Sequence, residues 1–125
     1  MIQIDSRDST PIYAQIERAL KAAIAAGRIA AGDQLPTVRQ LAVDLQVNAN
    51  TVARVYADLE RQGILETRRG VGSFVNASPT KARPPSEHAR RLRAFATRVL
   101  ADAHAAGFTA DELIAQLDAH RQEGD

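Results

Sequence analysis

The sequence predicts a mainly α-helical fold with one small β-hairpin. Apolar residues recur at helical spacing in several separate segments, and residues typical of helix starts and ends punctuate these segments. Two glycines within five residues join two short segments suited to strands. With 125 residues, 45% of them hydrophobic and 25% charged, the chain can bury the core of one ordinary domain with a small appendage.

The first helix is expected to start at Pro11, since proline lacks only an N–H that would be unpaired in a first turn. Ser9 or Thr10 is expected to cap this helix, and Gly27 marks its end. Its apolar stripe is Ile12, Ile16, Leu20 and Ala23. Residues 28–36 are expected to form a turn and a short extended piece.

The second and third helices are predicted from their caps. Thr37 and Gln40 match a capping box, and Asn48 is expected to cap a third helix that ends at about Gln62. A tight connection at residues 46–47 separates the two helices. The residues expected to be buried are Val38, Leu41, Ala42 and Leu45 in the second helix and Val52, Val55, Tyr56 and Leu59 in the third.

Two strands are predicted at residues 64–67 and 73–75, and the connection Arg68-Arg69-Gly70-Val71-Gly72 has the glycines that a hairpin turn needs. We call residues 68–72 the wing. Two more helices are expected at about 87–106 and 110–121, the second with a capping box of Thr109 and Glu112.

The expected domains are therefore 1–76, a linker at 77–86 that is rich in Pro, Ser and Ala, and a two-helix segment at 87–121. The order of helix, helix, tight turn, helix and hairpin in the first domain predicts a winged helix-turn-helix, in which the third helix enters the major groove of DNA.

The outward face of the third helix has side chains that suit base recognition. Asn50, Arg54, Ala57 and Arg61 lie opposite its buried stripe. Asparagine can pair with adenine, arginine with guanine, and an alanine methyl can pack on thymine. Arg61 lies far along the helix, and an ion pair with Asp58 or Asp44 is the alternative for it, as a pair with Asp58 is for Arg54.

Other residues are expected to contact the DNA backbone. Thr37, Arg39, Asn48 and Thr51 stand at the two helix starts, where exposed amides bind phosphate. Asn48 could equally be only a cap. The wing residues that we expect to contact DNA are Arg68, Arg69, Gly70 and Gly72, although the glycines would serve first to form the turn.

Composition excludes several other classes of protein. Sixteen Lys and Arg balance fifteen Asp and Glu, so only the placement of the basic residues indicates DNA. The absence of Cys excludes disulfides, and the three histidines, His88, His104 and His120, form no i,i+4 metal pair. No nucleophile motif, phosphate-binding loop, membrane span or signal peptide is present. We expect a cytoplasmic protein that is no enzyme and needs no cofactor or metal.

The sequence resembles the GntR family of bacterial regulators. The similar segments are PIYAQI at 11–16, LPTVRQLA at 35–42, NANTVARVYADLERQG at 48–63 and RRGVGSFV at 68–75. The short tail resembles that of the YtrA subfamily. The resemblance implies DNA contacts from Arg39, residues 48–51, Arg54 and the wing glycines. Ala49 and Ala53 stand where some members have arginine, and Gln46 where glycine is common, so the operator sequence is not predicted.

The C-terminal helices present an apolar stripe that two helices cannot bury by themselves. The residues expected to form a dimer interface are Leu92, Phe95, Val99, Phe108, Leu113 and Leu117. Docking on the first domain is the alternative, but the proline-containing linker favours a second copy, as the resemblance does. Since the tail is too short for a large pocket, an unidentified small-molecule effector would bind between subunits or at the junction with the first domain.

These observations lead to one functional hypothesis, a homodimeric DNA-binding regulator that reads an inverted-repeat operator. Repression is implied by the resemblance. A winged helix that binds protein is the alternative, and it predicts an apolar or acidic outward face on the third helix. A second alternative is that the chain is the DNA-reading part of a longer regulator, although the capped last helix and the polar ending RQEGD suggest a complete chain.

Overall fold

A computed structural model describes residues 2–77 and 84–122, which fall into two compact units with those limits. The first unit has three helices and a hairpin, namely α1 (Ile12–Ala25), α2 (Val38–Leu45), α3 (Ala49–Arg61), β1 (Leu65–Arg68) and β2 (Gly72–Val75). The second unit has two helices, α4 (Pro85–Ala105) and α5 (Ala110–Gln122). The predicted mainly helical fold with a small hairpin is confirmed. Of the expected linker, residues 78–83 lie outside the described residues.

The core of the first unit is formed by all three helices and the hairpin. Its buried residues are Ile16, Leu20, Ala23, Ile29, Leu35, Leu41, Ala42, Val52, Val55, Tyr56, Leu59, Leu65 and Val75. The predicted stripes of α1, α2 and α3 supply most of them, and Ile12, Val38 and Leu45 are half-buried at the edge. Full burial of one large aliphatic side chain contributes about 1.5–3 kcal/mol, so this cluster is the main source of stability in the unit.

The expectation that Ser9 or Thr10 caps α1 is wrong. Pro11 is the N-cap residue and no side chain bonds the first amides of the helix, because Asp8 holds the preceding segment in a turn of its own. Asp8 Oδ1 accepts from the Thr10 amide at 2.8 Å, and this hydrogen bond lowers the pKa of Asp8. Gln15 ties the segment to α1, since its Nε2 donates to the Thr10 carbonyl at 2.9 Å.

The starts of α2 and α3 are capped as the sequence predicts. In α2, the Gln40 amide donates to Thr37 Oγ1 at 3.0 Å and the Thr37 amide donates to Gln40 Oε1 at 2.9 Å. In α3, Asn48 Oδ1 accepts from the Asn50 amide at 2.7 Å. Between them Gln46 has φ 57° and ψ 47°, a left-handed conformation that costs a residue other than glycine about 1–2 kcal/mol.

The strands of the hairpin lie closer to the turn than expected, with Ile64 outside β1, and the hairpin has a third partner. The register pairs Leu65 with Val75 and Arg68 with Gly72, so these last two residues belong to the strands and not to the loop. The expected short extended piece before α2 pairs with β2, since the Leu35 amide donates to the Ser73 carbonyl at 2.8 Å. The expected strand ends were wrong because cross-strand pairing, which local sequence does not reveal, extends both strands toward the turn.

In the second unit, α4 begins at Pro85, two residues before the expected start, because proline suits a first helical turn. The capping box of α5 is present, with the Thr109 amide donating to Glu112 Oε1 at 2.8 Å. This bond lowers the pKa of Glu112. Although α4 and α5 pack on each other, neither helix has a fully buried residue among the described ones. In residues 2–77 and 84–122, no helix has both the length and the hydropathy for crossing a membrane.

Tyr56 connects α3 to the start of α2. Its hydroxyl donates to the Pro36 carbonyl at 2.7 Å, while the ring is 6% exposed. Burial raises the pKa of Tyr56 from 10.0 to about 12, because the phenolate would lose its hydration. The bond therefore fixes where the chain enters α2 relative to α3.

Tyr56 makes stability depend on pH in the alkaline range. Its contribution is complete below pH 10.0, where the phenol is neutral in both states, and is lost as pH rises toward about 12, because only the unfolded chain releases the proton. Urea unfolding of Tyr56→Phe should show a loss of about 1 kcal/mol at neutral pH and a weaker decline above pH ~10 than the original protein. Tyr13→Phe is the control for the other tyrosine. An identical alkaline decline in the original protein and Tyr56→Phe would contradict this assignment.

Candidate nucleic-acid interface

One face of α3 is exposed along its whole length and opposite the buried stripe. The predicted outward residues Asn50, Arg54, Ala57 and Arg61 are all exposed, and so are Ala49 and Ala53. The set consists of three side chains that donate hydrogen bonds, Asn50, Arg54 and Arg61, among the small methyl groups of three alanines. A surface of this composition can approach base edges closely and form hydrogen bonds there.

Arg54 lies against α1. Its guanidinium carbon is 3.9 Å from the centroid of the Tyr13 ring, a cation–π distance. The alternative pair of Arg54 with Asp58 does not form, because Arg61 bonds that carboxylate. The expectation of an ion-paired Arg61 is therefore met, and Arg54 keeps its N–H groups unpaired with any carboxylate of the described residues.

The α2 start brings Thr37 and Arg39 to the surface. Thr37 Oγ1 is already an acceptor in the capping box, whereas Arg39 is exposed and makes no hydrogen bond or ion pair with any described residue. The two residues line one side of an open cleft of about 560 Å³. The side chain of Arg39 is thus available to bind an anion. Thr37 lies at a helix start, where the exposed backbone amides can bind one as well.

The α3 start holds Asn48 and Thr51. Since Asn48 Oδ1 accepts from the Asn50 amide, its role as a cap is settled, and only the exposed side-chain amide group remains for a further contact. Thr51 is half-buried, and its backbone amide donates to the Asn48 carbonyl at 3.0 Å. Both residues lie at the end of α3 that recognition helices direct toward DNA.

The two wing arginines differ in their surroundings. The Arg68 guanidinium lies 4.2 Å from the centroid of the Phe74 ring and its Nε donates to Glu66 Oε1 at 3.1 Å. Arg69 is exposed at the turn and has no partner among the described residues. Arg69 is consequently the more available of the two for an external anion.

The wing glycines are required by the backbone. Gly70 has φ 76° in the turn closed by the Val71 amide and the Arg68 carbonyl at 2.9 Å. Gly72 has φ 144°, and a Cβ there would collide with the side chain of Gln34. That side chain donates from Nε2 to the Val71 carbonyl at 2.8 Å. Gln34 therefore holds the wing in place.

A groove of about 280 Å³ runs between the wing and the α2 start. Several residues predicted to contact DNA meet along it, namely Thr37, Arg68, Arg69, Gly70 and Gly72. Sequence reasoning missed Tyr13, Gln34 and the bond from Tyr56 to Pro36. Tyr13 lies in the segment PIYAQI, which was noted only as a whole for its similarity to the family.

The second unit exposes the residues predicted for a dimer interface. The exposed fractions are 58% for Leu92, 56% for Phe95, 57% for Phe108 and 58% for Leu117, whereas Val99 and Leu113 are half-buried. Leu100 and Ile114 add to the exposed apolar surface.

Of the histidines, His88 and His104 are exposed and His120 Nδ1 lies 3.0 Å from the Gln116 carbonyl. Among the described residues no group of three or more His, Cys, Asp or Glu is placed to hold a metal ion.

Known proteins of one family are similar to this chain in sequence. The model of the gntR family of bacterial regulatory proteins matches residues 12–75. The HTH-type transcriptional repressor YtrA of Bacillus subtilis is 40% identical over 113 residues, which are 90% of this chain and 86% of the relative. Homologues of this kind are regulators of transcription and not enzymes.

Solved structures agree with the sequence relatives. YtrA from Sulfolobus acidocaldarius, a GntR-family transcription factor, is 33% identical with a TM-score of 0.59, and the match covers 80% of this chain and 97% of that one. The DNA-binding domain of AraR, solved in complex with operator ORE1, is 29% identical with a TM-score of 0.52 and covers 60% and 92% of the two chains. The chain belongs to the GntR family, as its motifs predicted, and is a DNA-binding regulator of transcription.

Proposed function

We propose that this regulator is a homodimeric repressor of an inverted-repeat operator, with α3 in the major groove and the wing on the adjacent backbone or in the minor groove. The observation that carries the proposal is the exposed face of α3, where Asn50 and Arg54 stand among small alanines. The solved complex of the AraR DNA-binding domain with an operator supports the part of the proposal that this domain binds an operator. A protein of this kind acts where the chromosome lies, in the cytoplasm of a bacterium.

Base recognition is assigned to the first half of α3. Asn50 can accept from and donate to adenine, and Arg54 can donate two hydrogen bonds to guanine. Ala53 and Ala57 allow the helix to lie deep in the groove. Arg61 is left out of this set because it lies far along the helix, where it pairs with Asp58.

Phosphate contacts are assigned to the helix starts and to the wing. Among the residues predicted to contact DNA at the helix starts and in the wing, Arg39 and Arg69 are the cations without a partner in the described residues. Thr37, Asn48 and Thr51 add hydroxyl and amide donors. Arg68 contributes its charge beside them, while Gly70 and Gly72 let the wing backbone come near the DNA. Since the whole chain has a net charge of only +1, these local groups must supply the attraction.

The competing function, a winged helix that binds protein, has little support. It predicts an outward face on α3 that is apolar or acidic, whereas the exposed positions hold Asn50, Arg54 and alanines. Arg61 and Glu60 are also exposed at the far end of α3, but the first half of the helix has no acidic residue, and that half suits base edges better than a protein partner.

Arg54→Ala should weaken binding to the operator by about 1–3 kcal/mol and reduce base preference, because Arg54 contacts bases. Arg69→Ala should weaken binding to operator and random duplex alike and reduce the salt dependence by about one phosphate contact. The measurement is a fluorescence-anisotropy titration at several salt concentrations. Arg61→Ala is the control on the same helix and should bind normally. Equal losses on both duplexes for Arg54→Ala would refute its assignment to bases.

The homodimer is proposed from the second unit, with 1–76 as the DNA-binding domain, 77–86 as linker and 87–121 as dimerisation segment. Neither helix has a buried residue, and the helices with their connection expose six large apolar side chains, namely Leu92, Phe95, Leu100, Phe108, Ile114 and Leu117. A second copy can cover this face by symmetry, and two copies would present two recognition helices to an inverted repeat. An unidentified small-molecule effector would then bind between the subunits.

Phe95→Glu should convert the protein to a monomer, because a carboxylate would be buried in the apolar interface. Sedimentation equilibrium should give twice the mass of one chain for the original protein and a single mass for the variant. Val43→Glu on α2, which changes an even more exposed apolar residue of the first unit, should leave the mass unchanged. Circular dichroism tests that both variants are folded. A dimeric and folded Phe95→Glu protein would show that this face is not the interface.

Repression is proposed from the name given to the Bacillus subtilis relative. A dimer bound across a promoter should lower transcription because it blocks polymerase. In a reporter assay with the operator placed in the promoter, expression of the protein should reduce the signal and Arg54→Ala should restore it. An increased signal on expression would identify an activator instead.

A further inference from the structure

We infer that Tyr13 is a positioning residue for Arg54, and that its ring holds the guanidinium ready for a base. This inference rests on the proposed base contact of Arg54. It adds a residue of α1, a helix with no other assigned role at the DNA, to the determinants of specificity.

The geometry of the stack favours this role. The guanidinium carbon is 3.9 Å from the centre of the Tyr13 ring, so one face of the group is covered. The N–H bonds of a guanidinium lie in its plane and point outward from its edge. A ring on the face therefore leaves the edge open for two hydrogen bonds to a guanine, and the stack can persist in the complex.

Tyr13 is itself held in place. It lies in the first turn of α1, half-buried against the core, and α1 packs on α3. Gln15 fastens the preceding segment to the same turn, with its Oε1 accepting from the Asp5 amide at 2.8 Å. The Tyr13 hydroxyl makes no hydrogen bond with any described residue, so the ring is the part that acts on Arg54.

The expected consequence is a gain in affinity for the operator alone. A long arginine side chain loses conformational freedom when it binds a base, and a side chain already held on a ring loses less. The effect expected from such prior ordering is about threefold to tenfold in affinity. The affinity for random duplex should not increase, because Arg54 forms no base contact there. If the stack instead withheld Arg54 from DNA, removal of the ring would tighten binding.

The test compares Tyr13→Leu and Tyr13→Phe in titrations with operator and random duplex. Tyr13→Leu should lose about threefold to tenfold on operator and little on random duplex, while Tyr13→Phe should bind like the original protein. In an Arg54→Ala background, Tyr13→Leu should cause no further loss. Ile24→Ala, which removes a half-buried residue at the other end of α1, is the control for a general loss of stability. Urea unfolding of each variant establishes that all are folded under the binding conditions.

Several results would overturn the inference. These are a loss in Tyr13→Phe equal to that in Tyr13→Leu, a loss shared by random duplex, a further loss in the Arg54→Ala background, or tighter binding. If Arg54→Ala retains full operator preference, the proposed base contact fails and the inference fails with it. If Arg54→Ala loses preference and Tyr13→Leu does not, only the role of Tyr13 is refuted.

Discussion

The rotation of α3 about its own axis determines which of its residues face outward, and burial fixes that rotation. Its four buried residues are Val52, Val55, Tyr56 and Leu59. Because residues three and four apart share a helix face, burying this set leaves Asn50 and Arg54 outward. A rotation by one residue would push Arg54 toward the core, where an unpaired charge costs several kcal/mol. The bond from Tyr56 to Pro36 then ties the α2 start to the same helix.

Local signals in the sequence were sufficient to predict the helices and the caps of α2, α3 and α5. The capping boxes at Thr37 and Thr109 and the cap at Asn48 form as predicted, since each depends only on residues within one turn. Where a distant segment decides the outcome, the prediction was wrong. The strand ends at Arg68 and Gly72 depend on cross-strand pairing. At α1 a competing local turn at Asp8 leaves Pro11 as the N-cap residue and Ile12 as the first residue of the helix.

The candidate site could be predicted as a set of residues but not as an arrangement. The contacts of Tyr13 with Arg54 and of Gln34 with the wing join residues far apart in the chain, so no spacing rule reveals them. The structure also shows that arginines predicted to have the same role have different surroundings. Arg54 is stacked, Arg68 is paired with Glu66, and Arg69 is open, although all three looked alike as basic residues on expected contact surfaces. Because the chain is nearly neutral, its proposed attraction to DNA depends on where a few arginines lie.

The most direct measurement of the central claim is selection of bound sequences from a pool of random duplexes at several salt concentrations. A dimer that reads DNA with α3 should enrich an inverted repeat whose half-sites lie about one helical turn, roughly 10 base pairs, apart. Its affinity should fall steeply as salt rises, because phosphate contacts release counterions. Enrichment of no motif, with weak binding even at low salt, would contradict the account and favour a winged helix that binds protein.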